Sequence, residues 1–171
     1  MKKVLKILEF DKILERLQGY TESEAVKKRI YRLEPFSEKA DAERAQKETT
    51  EAMSTLLKLG SPPVNLAVAD SRGSAKRAEQ GGTLTARELM DISRLLYVAR
   101  RMKSYLGETS EECAVLRDIS ERLLTAKALE DKINAAIISE EEIADDASAE
   151  LSAIRRRMKN LNGKIKDTLN G

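Results

Sequence analysis

The chain has 171 residues, 41% of them hydrophobic, 35% charged and only 4% aromatic, with no His, no Trp and a single Cys. The absence of histidine excludes a Ser-His triad, a Cys-His pair and imidazole metal ligands, and one Cys excludes an internal disulfide and every Cys-based zinc site. That cysteine usage fits a reducing, cytoplasmic compartment, the length suits one compact domain or two small ones, and the near-zero net charge of +2 says little about partners.

With so few aromatics a β-sandwich is not expected, and the core should be built from Leu, Ile, Ala and Met. Phe10, Ile13, Leu14 and Leu17 share one helical face, stopped by a C-cap at Gly19. Thr21 and Glu24 have the capping-box spacing and open a second helix that reaches about Leu33, before Pro35. Ala42, Ala45, Thr49, Ala52, Leu56 and Leu59 predict a long helix with a thin, close-packing face, closed by Gly60. Pro62 and Pro63 mark a loop and the best internal boundary.

Asp70 is placed to cap a short helix through about Ala78, and Gly81-Gly82 breaks the chain again. Thr85 and Glu88 repeat the capping box and start a strong helix, Ala86 to Leu106. Its wide apolar arc of Leu89, Ile92, Leu95, Leu96, Val98, Ala99, Met102 and Leu106 predicts a central position, and Gly107 ends it. Two helical stretches follow, Cys113 to Leu124 and Lys127 to Ile138. The last segment is the most regular: Leu151, Ile154, Met158, Leu161, Ile165 and Leu169 approach the heptad seam of a coiled coil or dimer interface. Because the chain stops on that seam, a piece cut from a longer protein is expected. No stretch approaches the roughly 20 apolar residues of a membrane span.

Little in the sequence carries chemistry. Gly73-Ser74-Ala75-Lys76 and Gly81-Gly82-Thr83 lack the phosphate-cradle spacing, so no nucleotide site is encoded. The acids Glu140, Glu141, Glu142, Asp145 and Asp146 read as a solvated, helix-starting turn, and Cys113 as a small buried hydrophobe. No catalytic, cofactor-binding or metal-binding residue is expected. The clustered cations Arg155, Arg156, Arg157, Lys159 and Lys164 are the one feature suited to nucleic-acid phosphates. Successive residues turn about 100° around a helix, however, so the arginines do not form one flat patch. Arg100, Arg101 and Lys103 make a weaker second patch.

Four blocks taken together resemble a known family. They are Leu8-Glu9-Phe10-Asp11-Lys12-Ile13, Lys76 to Thr85, Leu95-Leu96-Tyr97 with Arg100 to Lys103, and Asp145 to Leu151 leading into Ile154-Arg155. Their order and spacing resemble the N-terminal region of the MutS family. The nearer resemblance is to the second bacterial MutS paralogue, which lacks the mismatch-recognition and connector domains and begins with the lever helices. It covers essentially the whole chain. It implies an all-α, multi-helix lever-type bundle in which residues 1–148 are the first half of the lever and 149–171 start a coiled-coil clamp arm. The ATPase and small MutS-related nuclease domains would lie outside these residues.

For the longer protein the resemblance implies a homodimeric ATPase and endonuclease that uses ATP and a divalent metal. Such a protein would suppress recombination at branched DNA, or split collided ribosomes. For the residues in hand it implies a non-catalytic element that couples the ATPase to the clamp. The alternative is a helical adaptor or dimerisation module with weak nucleic-acid binding through its basic last helix.

Overall fold

A computed structural model describes residues 2–109 and 112–170. Among them the elements in chain order are α1 (Lys2–Ile7), α2 (Phe10–Gln18), α3 (Glu24–Tyr31), α4 (Lys39–Leu59), α5 (Arg72–Glu79), α6 (Ala86–Gly107), α7 (Ala114–Arg122), α8 (Lys127–Ala136) and α9 (Ala149–Asn170). The fold is all-α, as expected, and the β-pairing among the described residues is one isolated antiparallel bridge, Ile137 to Ile143. Gly171, the last residue of the expected arm, lies outside the described residues.

The chain divides into two compact units. One runs to Asp70 and takes in Leu95–Ala126; the other is Ser71–Arg94 with the chain from Lys127 onward. The Pro62-Pro63 loop, expected to mark the boundary, lies inside the first unit. Its ends are tied down there, because the Tyr105 hydroxyl donates to the Gly60 carbonyl at 2.6 Å and the Asn65 amide donates to Glu22 at 3.3 Å.

In the first unit α2 packs on α1 and α3, and α4 packs on α7. Glycine stops two of these helices, in different ways. Gly60 ends α4 by donating its amide to the Leu56 carbonyl and then taking φ 77 with ψ −169, an extended positive-φ conformation that glycine adopts without a Cβ penalty. Gly19, by contrast, keeps right-handed helical angles and simply continues the turn. The expected capping box at Thr21 and Glu24 does not form. The Glu24 carboxylate pairs with Lys27 at 2.8 Å, and Thr21 instead accepts from the Ser23 amide at 3.2 Å, so α3 starts at Glu24 with Ser23 at its N-cap.

In the second unit the same pattern at Thr85 and Glu88 closes fully. The Thr85 amide donates to Glu88 Oε2 at 2.9 Å and the Glu88 amide donates to Thr85 Oγ1 at 3.3 Å. Ser74 and Arg77 of α5 donate to the other carboxylate oxygen, which joins α5 to the start of α6. The turn between them needs both glycines. Gly81 has φ 79, and Gly82 donates to the Arg77 carbonyl at 2.9 Å in a Schellman arrangement. A Cβ on Gly82 would lie 2.9 Å from that carbonyl oxygen and 2.6 Å from Arg77 Cγ.

The bond from the Thr85 amide, then those from Ser74, Arg77 and the Thr85 hydroxyl, hold the Glu88 carboxyl at about 2, below its ordinary 4.5. A depressed carboxylate pKa stabilises the fold above the unfolded value and loses that contribution as pH falls through the folded one. Glu88→Gln is therefore expected to lower the thermal midpoint at neutral pH. The gap from the unsubstituted chain should narrow between about pH 4.5 and pH 2. A gap that stays constant across that range would remove Glu88 from the linkage.

The core holds the expected Ile, Leu and Ala but no buried Met among the described residues, and Val, Tyr and Cys join it. Its buried apolar residues are Ile30, Val98, Tyr105, Leu106, Cys113, Ile133 and Ala144, and Ser23, Glu51, Thr55, Ser71, Ser93, Ser120 and Glu130 are buried beside them. Small hydroxyls let helices approach closely while bonding across the contact: Ser93 donates to Asn134 at 2.6 Å and Ser120 to the Lys103 carbonyl at 3.3 Å. Cys113 is buried, as expected of a small hydrophobe.

Candidate interaction surface on helix α9

Helix α9 starts where Ser148 caps it, its hydroxyl accepting from the Leu151 amide at 3.1 Å. The preceding acidic segment is not the helix-starting turn that the sequence suggested. The chain reverses tightly there: the Ile138 amide donates to the Glu142 carbonyl at 3.0 Å, and the Ala144 amide to the Ala136 carbonyl at 2.9 Å. This reversal ends α8 at Ala136, two residues before the expected Ile138.

Leu151, Ser152 and Arg155 are half-buried against the body of the unit, and every described side chain of α9 beyond them is exposed. The seam residues Ile154, Met158, Leu161 and Ile165 are each 50–58% exposed, and Leu169 is 79% exposed. No helix of the described unit covers that face. In heptad register with Leu151 at a, Ile154 and Leu161 fall at d, Met158 and Ile165 at a, and Arg157 and Lys164 at the flanking g positions. The apolar row and part of the basic row thus share one side of the helix.

The five candidate cations do not stand alike. Arg156, Arg157, Lys159 and Lys164 project from the exposed length. Arg155 is turned back, donating to the Ile143 carbonyl at 2.8 Å and pairing with the Asp145 carboxylate. On α6, Lys103 donates to the Leu123 carbonyl at 2.8 Å and Arg100 stacks 5.4 Å from the Tyr97 ring centre, which leaves the second basic patch largely committed to the fold.

Two pairings escaped the sequence reading. Glu140 is held by the Arg87 guanidinium at 2.9 and 3.2 Å, a pairing across 53 positions that no local pattern announces. Glu51, on the buried side of α4, accepts from the Val115 and Leu116 amides at 2.9 Å each and so caps α7 from another helix. No three His, Cys, Asp or Glu side chains among the described residues are grouped to hold a metal ion. No described helix is long and apolar enough to cross a membrane.

No protein-family model matches the chain. Curated relatives do. It is 39% identical over 170 residues to a protein of Ruminiclostridium cellulolyticum named Endonuclease MutS2, an alignment that covers 98% of this chain and 21% of the relative. Proteins of the same name from Acetivibrio thermocellus and Clostridium beijerinckii are 38% and 36% identical, over 98% and 96% of this chain and 21% of each relative. The all-helical chain is thus a region of MutS type. More narrowly it is a MutS2-type region, and it spans about a fifth of the length of the curated relatives it matches.

Proposed function

We propose that these residues are a non-catalytic helical lever, and that α9 begins a coiled-coil arm through which nucleotide-driven movement reaches a nucleic-acid or ribosomal target. The supporting observation is the heptad row of α9, which stands exposed from Ile154 to Ile165, with exposed Leu169 beyond it, on a helix whose first two turns alone are fixed to the body of its unit. A stripe of that regularity is suited to a second helix. Leu151, Ile154, Met158, Leu161, Ile165 and Leu169 form the seam, and Arg157 and Lys164 flank it.

The chemistry belongs to the longer protein that the relatives' name describes. On this reading that protein is a cytoplasmic homodimer that binds ATP with a divalent metal and cleaves nucleic acid. It acts on branched DNA to restrain recombination, or on collided ribosomes to split them. The lever needs no catalytic group of its own. Purified chain is accordingly expected to release phosphate from ATP, and to nick branched DNA, at the rate of a buffer control; turnover above that control that co-purifies with the chain contradicts the assignment.

Direct contact with nucleic acid is the second reading, carried by the exposed cations Arg156, Arg157, Lys159 and Lys164. Anisotropy with labelled branched DNA and structured RNA at low salt tests it. Binding that weakens when Arg156 and Arg157 are changed to Ala, and falls steeply with added salt, supports that reading. Binding indifferent to both removes it.

A further inference from the structure

We propose that the connector between α8 and α9 is an ionic clasp that fixes the direction in which α9 leaves its unit, with Arg155 as the pin. Three observations on the same segment carry this. The acidic connector is gripped from two sides: Arg87 at the start of α6 holds Glu140 through two bonds of 2.9 and 3.2 Å, and Arg155 holds the other end through Asp145 and the Ile143 carbonyl. The segment between the grips is a tight reversal closed by the Ile137–Ile143 bridge, with Ala144 buried beneath it. Finally, Leu151, Ser152 and Arg155 are the only described α9 side chains that are not exposed, so Arg155 is the last described side chain along the helix that is partly buried.

The chemistry suits the task. A guanidinium is planar, permanently charged and able to bond a carboxylate and a carbonyl at once, so it constrains angle as well as distance. Ser148 fixes where the helix starts, and Leu151 supplies only a non-directional apolar contact. An exposed ion pair adds little to global stability. Its loss should therefore leave the fold intact and free the orientation of α9, which separates a clasp from a merely structural contact. The pin also explains why Arg155, alone among the clustered arginines, is withdrawn from the exposed basic face.

Pulsed electron-electron distance measurements on the 171-residue chain test the clasp, with nitroxides at Lys132→Cys on α8 and Lys159→Cys on α9 in a Cys113→Ser background. The unsubstituted connector is expected to give one narrow distance distribution, which Arg155→Lys should broaden in part, because an ammonium keeps the charge without the planar fork. Arg155→Gln and Asp145→Ala should each broaden and shift it, with helical circular dichroism and thermal midpoint unchanged. A distribution left narrow and unmoved by either of those two substitutions overturns the clasp.

Discussion

Replacing Glu51 with Ala is expected to cost about 2 kcal/mol of unfolding free energy, read as a lower urea midpoint with an unchanged transition slope. The side chain is only 5% exposed, yet it carries a formal charge into the contact between α4 and α7. What makes that burial tolerable is the start of α7. Two orphan amides, of Val115 and Leu116, point at one carboxylate oxygen, and the positive end of the helix dipole lies behind them. The other oxygen has no hydrogen-bond partner, and Lys47 approaches it at 3.9 Å.

Truncation to Ala leaves both amides without their acceptor, and Thr55, one turn along α4, would then hold the contact with Cys113 by a weak hydroxyl-to-sulfur bond of 3.9 Å. Glu51→Gln should cost less, because an amide oxygen can still accept from both donors. A midpoint for Glu51→Ala indistinguishable from that of the unsubstituted chain would show that α7 is capped by other means.

Concentration-dependent self-association is the second large effect expected, and Leu161→Asp should weaken it. Ile154, Met158, Leu161 and Ile165 present a continuous apolar row to water, and rows of this kind seek a partner. Leu161 lies near the middle of that row. Burying one such side chain contributes roughly 1.5–3 kcal/mol, so a charge in its place should weaken association by about tenfold or more. Light scattering over a range of concentrations measures this. A strict monomer at every concentration, or an average mass unchanged by Leu161→Asp, would mean that the row does not act as a seam.

Most helices were legible in the sequence because their signals are local. The row from Ala42 to Leu59, the Gly60 stop and the Thr85-Glu88 box all survive in the structure, since each depends on residues within a turn or two of one another. The apolar row of α9 was legible for the same reason. The two capping-box patterns show where local reading stops: Glu88 is steadied by Ser74 and Arg77 from another helix, whereas Glu24 has Lys27 one turn away and is drawn to it. Helix α1 was missed because lysines interrupt its short apolar pattern.

What escaped the sequence altogether is long-range and polar. Glu51 reads as one more charge on an amphipathic helix until α7 places its amides over it. Arg155 reads as part of a basic cluster until the reversal at 137–143 brings Asp145 and the Ile143 carbonyl within its reach. Serines that would be assigned to exposed faces prove to be helix contacts, as Ser93 does against Asn134. In each case the partner lies on another element, and periodicity along one element carries no record of it.

The lever assignment is tested most directly in a full-length relative such as the Ruminiclostridium cellulolyticum protein, 39% identical over 170 residues. Nitroxide labels would be placed at the positions aligned with Lys132 on α8 and Lys159 on α9, and their separation measured with and without bound nucleotide. The expected result is a distance distribution that shifts when ATP is added and returns when it is removed. Identical distributions in both states, from protein that binds nucleotide, would contradict the lever.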